Sequence, residues 1–209
     1  MNLRDQLIGQ LDSALRSLTR GVQAPQRPSP ATALEHTPLT SEEQRHAAGL
    51  MRVNHSGEVC AQGLYQGQAL TAQLKDTRQA MHTAAQEEID HLAWCEARLS
   101  ELKAQPSLLN PIWYGLSFGL GAAAGLMGDK VSLGFVAATE EGVCTHLAQH
   151  LTALPEVDHK SRAIVRQMLE DEQRHGQTAL EAGGVNLPAP VKALMRITAK
   201  AMTHSSYRV

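Results

Sequence analysis

The chain has 209 residues, with 19 Lys and Arg against 21 Asp and Glu, and this net charge of −2 argues against a nucleic-acid-binding surface. Its 43% hydrophobic content can fill one core, and 3% aromatics with abundant alanine and leucine favour helices over sheets. Three cysteines, Cys60, Cys95 and Cys144, without a Cys-x-x-Cys pair, exclude a disulfide framework as the basis of the fold and point to a reducing compartment.

Residues 1–39 read as an arm. Its first ten residues include Arg4 and Asp5 and lack the apolar segment of a signal peptide. Leu3, Leu7, Leu11, Leu15 and Leu18, broadened by Ile8, make an amphipathic helix over 2–18. Two readings fit it: packing on the main body, or an arm on a membrane surface. Pro25, Pro28, Pro30 and Pro38 mark 22–38 as a linker.

Residues 40–209 read as a helical bundle. Thr40 and Glu43 form a capping-box pattern opening a helix over 41–72. Inside it stand Gly57, Gly63 and Gly67, each costing on the order of 1 kcal/mol relative to alanine; close helix packing or substrate access would account for them. A second helix is predicted over 76–103, then a break at 107–111. The segment 112–128 contains no charged residue. At 17 residues it is shorter than the ~20 a membrane span needs, and it is rich in glycine. A buried crossover, an interfacial segment dipping into a bilayer with Trp113 and Tyr114 in the headgroup zone, and a span are the three readings. Asp129 is expected to cap a third helix over 130–154. A fourth, over 159–182, ends at Gly183-Gly184. A last amphipathic helix over 191–202 sets Val191, Leu194, Met195 and Met202 against Lys192, Arg196 and Lys200, suited to anionic lipid or to packing on the bundle.

The chemistry is concentrated in two copies of Glu-x-x-His: Glu88-Ile89-Asp90-His91 and Glu172-Gln173-Arg174-His175. On a helix, residues three apart share a face, so a carboxylate and an imidazole so placed can hold one metal ion. Glu58 precedes the first motif and Glu140 the second at nearly the same distance, which is an internal repeat of two helical hairpins. The fold class expected is therefore all-α, a ferritin-like four-helix bundle. Its inward ligands are Glu58, Glu88, His91, Glu140, Glu172 and His175, a di-iron carboxylate set with open positions left for oxygen. Each motif glutamate follows another acid, Glu87 or Asp171, and these are expected to accept the imidazole N–H across the site. His55, His146 and His150 read as surface or satisfied core histidines, or as groups behind the ligands; Tyr65 lies within reach of the site. The cysteines read as small hydrophobes.

At these residues the chain resembles a known family. Arg52-Val53-Asn54-His55-Ser56-Gly57-Glu58, Glu88-Ile89-Asp90-His91, Ala138-Thr139-Glu140-Glu141 and Glu172-Gln173-Arg174-His175 are similar to the demethoxyubiquinone hydroxylases, di-iron monooxygenases of ubiquinone biosynthesis. The resemblance runs from about Ser41 to the C-terminus and leaves the arm without a match. It implies two iron ions per chain on the same six residues, with Glu88 and Glu172 bridging and Glu58 and Glu140 terminal, and no catalytic side chain beyond the ligands. It implies ring hydroxylation of 2-polyprenyl-3-methyl-6-methoxy-1,4-benzoquinone, as the quinol, by molecular oxygen without a flavin. A membrane-embedded polyprenyl quinol further implies a peripheral place on the cytoplasmic side of the cell membrane, with 112–128 as a ramp to the iron. Assembly with itself or into a ubiquinone-biosynthesis complex stays open. Three competing readings remain. These are an iron store, a rubrerythrin-like peroxidase, against which the missing Cys-x-x-Cys counts, and a quinone-binding adaptor.

Overall fold

The computed structural model describes residues 3–22, 24–35 and 37–209. Met1, Asn2, Gln23 and His36 lie outside the described residues, as do the side chains of residues 3–7 and 10, so Leu3 and Leu7 of the predicted stripe are not assessed. Among the described residues there are seven helices and no strand: α1 (Leu3–Leu18), α2 (Ser41–Thr71), α3 (Lys75–Glu101), α4 (Asn110–Leu126), α5 (Asp129–Ala153), α6 (His159–Glu181) and α7 (Ala189–Ser206). The fold is the all-α bundle expected. α2 pairs with α3, α5 pairs with α6, and the two hairpins meet through α3 and α6.

The helix ends follow local chemistry. Thr40 and Glu43 form the full capping box at α2. The Asp158 carboxylate accepts from the Ser161 N–H at the start of α6. Asp129 departs from expectation: Gly128, at φ 107°, is the N-cap of α5. The Asp129 carboxylate instead accepts from the backbone N–H groups of Gln73 (3.1 Å) and Leu74 (2.8 Å), leading into α3.

α4 is neither fully buried nor a span. One face lies against α2 so closely that a Cβ on Gly67 would overlap the Phe118 carbonyl oxygen, and a Cβ on Gly121 the Leu64 carbonyl oxygen. The opposite face exposes Ile112, Leu116 and Leu120 at i, i+4 spacing, with Leu126 and Met127 beyond. α1 lies beside α2 and α4. Ala14 and Leu18 pack against Val59, Leu92 and Tyr114, while Ile8, Leu11 and Leu15 point to solvent. No helix among the described residues is long and apolar enough to cross a membrane.

The core has two apolar layers. One gathers Met51, Leu99, Leu147 and Met168; the other Tyr65, Met81, Val136 and Ala179. On every one of α2, α3, α5 and α6 the acids and histidines of the repeat fall between these layers. Charged groups in such a place are costly unless paired or bound to a metal.

Candidate metal centre

All six predicted ligands are buried: Glu88 and His91 at 0% exposure, Glu172 at 2%, Glu140 at 3%, Glu58 at 4% and His175 at 8%. Within each motif the i, i+3 spacing brings carboxylate to imidazole. His91 Nδ1 is 2.8 Å from Glu88 Oε2, and His175 Nδ1 is 3.1 Å from Glu172 Oε2. Each glutamate also reaches the other motif. Glu172 Oε1 lies 3.1 Å from His91 Nδ1, and Glu88 Oε1 lies 3.1 Å from His175 Nδ1. Glu88 and Glu172 therefore each offer one oxygen to each imidazole. Glu58 Oε2 stands 3.8 Å from His91 Nδ1.

Ligand atoms of Glu58, Glu88, His91 and Glu172 all lie within 4.8 Å of one another. Glu140 stands apart from that tight group: its carboxylate accepts a hydrogen bond from the Tyr65 hydroxyl. Glu140 and Glu172 nonetheless border one cavity of about 340 Å³ between α5 and α6, whose other walls include Gly134, Ala137, Gly176 and Lys192. No residue of 112–128 lines it.

The outer nitrogens are held as expected, crosswise between the hairpins. His91 Nε2 pairs with Asp171 Oδ2 at 2.9 Å, and His175 Nε2 with Glu87 Oε2 at 2.5 Å. This sets a test of fit for a metal. An imidazole that donates through Nε2 and carries no second proton aims a bare Nδ1 lone pair at carboxylate oxygens, which is repulsive unless a cation stands between them. Without a metal the cation is a proton. Burial disfavours the His175 imidazolium, but Glu172 and Glu88 outweigh it and push its pKa up to about 11. Burial likewise opposes charge on His91, and Glu88, Asp171, Glu172 and Glu58 raise its pKa well above 6.5. Glu58 and Glu140 are pushed up by burial and by neighbouring carboxylates. Glu88, despite its burial, is held far below the usual range by the two histidines. Glu88 Oε1 still lacks a hydrogen bond. Four carboxylates and two neutral imidazoles carry −4, a charge that metal cations would neutralise in place of the protons that the raised Glu58, Glu140, His91 and His175 otherwise take. The donor set could hold metal.

Two residues around the centre have no signal in the spacing. Asp90 lies between Glu88 and His91 in sequence but two positions along the helix from Glu88, so it points away from the cluster. It is 3% exposed and accepts from the Gln26 N–H at 2.6 Å and from Arg27 Nε at 2.7 Å. A buried acid off the ligand face demands a cation from another segment, and that demand was the available clue. Arg27 itself sits in the proline-rich stretch, where periodicity says nothing.

His55 proves to be a satisfied core histidine: its Nδ1 faces the Asn110 amide at 3.2 Å, and Asn110 Oδ1 accepts from Ser56 Oγ at 2.7 Å, which seats the start of α4. His146 and His150 lie tilted against each other, with 3.9 Å between ring centroids, beside α7. The cysteines are free.

An all-helical bundle with four acids and two histidines crossing between repeated hairpins defines the class of ferritin-like carboxylate metalloproteins. Within that class, the sequence matches the family described as ubiquinone biosynthesis protein COQ7 over residues 45–206, and the chain belongs to that family. It is similar to proteins named 3-demethoxyubiquinol 3-hydroxylase. Those from Pseudomonas fluorescens and Ectopseudomonas mendocina are 61% identical, and that from Azotobacter vinelandii is 62% identical, each over 205 residues, 98% of this chain and 95% of the relative.

Proposed function

We propose that this chain is a di-iron monooxygenase that hydroxylates the ring of 2-polyprenyl-3-methyl-6-methoxy-1,4-benzoquinol, that is, demethoxyubiquinol. The observation that carries the reading is the double reach of Glu88 and Glu172, each with one oxygen toward His91 and one toward His175. Glu88 and Glu172 would therefore both help to hold the iron, together with the two imidazoles. His91 and Glu58 would complete one ion, and His175 and Glu140 the other. The relatives' names supply the substrate.

Iron bound here supplies reducing equivalents to dioxygen, so that one oxygen atom enters the ring and the other leaves as water, with two electrons and two protons drawn from an external reductant. The protein's own groups do the rest. Asp171 and Glu87 fix the imidazole rings so that Nδ1 points inward. Tyr65 orients Glu140 at the wall of the α5–α6 cavity, whose volume lies in the usual range for a small-molecule site. Ala137, Ala138 and Gly176 keep its walls low, leaving space for one substituted ring. The exposed apolar residues of α1 and α4 support a peripheral seat on the membrane that holds the substrate's tail, on its cytoplasmic side.

The test is direct. The purified chain, reconstituted with ferrous iron, should hold two ions and add one oxygen atom from labelled dioxygen to a short-tailed demethoxyubiquinol, and Glu172→Ala should do neither. Many ions per chain with no hydroxylated product would instead mark an iron store.

A further inference from the structure

We propose that Arg27, from the segment ahead of the bundle, is a positioning residue of the metal centre, so that docking of this segment and metal binding favour each other. The inference rests on the metal-centre reading above. It adds a part that lies outside the family match, which begins at residue 45.

The contacts are specific. Arg27 NH1 is 2.9 Å from Asp171 Oδ2, the same oxygen that takes the His91 Nε2 proton at 2.9 Å. Its Nε donates to Asp90 Oδ2 at 2.7 Å, and the guanidinium carbon lies 5.0 Å from the centroid of the Trp94 ring. Trp94 in turn donates through Nε1 to the Arg27 carbonyl at 3.3 Å and stands 5.4 Å from the His91 ring, centroid to centroid. Arg27 thus touches the acceptor of His91 and the aromatic ring beside it. A guanidinium can hold two carboxylates at once in a fixed plane; an ammonium is a single point of charge.

The segment leading to Arg27 is itself fastened along α3. Gly21 N–H donates to Glu96 at 2.9 Å, Arg20 to Gln105 at 3.0 Å, and Gln26 N–H to Asp90 at 2.6 Å. The other hairpin has a looser arrangement. Glu87, the acceptor of His175, is 40% exposed, and Arg174 reaches it only at 3.8 Å. The segment supplies one half of an otherwise repeated site with an anchor for its histidine. Linkage then runs both ways: whatever makes docking favour the metal makes the metal favour docking by the same factor.

The experiment titrates the metal-free full chain with Co²⁺, which reports ligand geometry through its visible spectrum, and follows amide exchange at Gln26 and Arg27. Arg27→Gln should weaken Co²⁺ binding by about tenfold, the usual scale for losing a group behind a ligand, and alter the spectrum. Arg27→Lys should recover part of the loss. In the wild type, Co²⁺ should slow exchange at both amides; in Asp171→Ala that slowing should be lost. Arg27→Gln matching the wild type in affinity and spectrum would overturn the proposal. Arg20→Gln, which loosens the segment without touching either aspartate, should weaken Co²⁺ binding less and leave the spectrum of the bound ion unchanged; a change of spectrum equal to that of Arg27→Gln would overturn the positioning role. Wild-type Co²⁺ binding indifferent to Glu172→Ala would remove the metal-centre reading, and this proposal with it.

Discussion

His91 and His175 hold equivalent places in two hairpins of the same pattern, but their surroundings differ. His91 is fully enclosed, its acceptor Asp171 is 1% exposed, and a segment from outside the bundle covers that pair through Arg27. His175 is held by Glu87, which is 40% exposed, and its half of the site opens through Glu140 and Glu172 into the α5–α6 cavity. One half is built to hold and the other to admit. The repeat sets which groups face inward; the flanks decide which side of the centre a substrate can reach.

The comparison breaks most visibly at the shared glutamates. Glu88→Ala or Glu172→Ala removes an oxygen from both histidines, so metal analysis after desalting should find both ions lost. Glu140→Ala should leave the ion beside His91 in place. If it empties the whole site, the division into a holding and an admitting half is wrong.

A smaller effect sharpens the same contrast. Asp171→Ala should cost about 10- to 100-fold in metal affinity, and Glu87→Ala, which removes a carboxylate 40% exposed to water, should fall near or below the lower end of that range. Equal losses, measured by competition against a chelator, would erase the distinction.

The smallest effect is in the metal-free protein. The folded-state pKa of His175, about 11, lies above its ordinary 6.5. Its contribution to stability is therefore complete below pH 6.5 and is lost as pH rises toward about 11. Glu58 and Glu140, also raised, act in the same direction from lower pH. The thermal midpoint of the metal-free chain should fall with rising pH across that window, and His175→Gln should flatten the fall. The loaded chain, in which the ion takes the proton's place, should lack the His175 component.

The candidate ligands were readable because a metal would impose spacing: Glu58, Glu88, His91, Glu140, Glu172 and His175 keep helical register in both repeats, and the structure buries all six. Helix positions were readable for a similar reason, with Thr40 and Glu43 marking one start and Gly183 one end. What escaped depends on contacts between distant segments. Asp129 accepts from the Gln73 and Leu74 N–H groups ahead of α3 rather than capping its own helix, and nothing local to Asp129 reveals that. Tyr65 was within reach of the site on spacing alone, but its choice of Glu140 needs α5 in place. The cavity lies between α5 and α6, away from the apolar segment read as a ramp, and its walls come together only once those two helices face each other.

The glycine seam between α2 and α4 has a mechanical side. At Gly67 and Gly121 the two backbones nearly touch, so no layer of side chains is left to absorb sliding. α2 carries Glu58. A load on the outward stripe of Ile112, Leu116 and Leu120 would therefore pass from α4 straight to the backbone of α2, and so to the helix on which Glu58 stands.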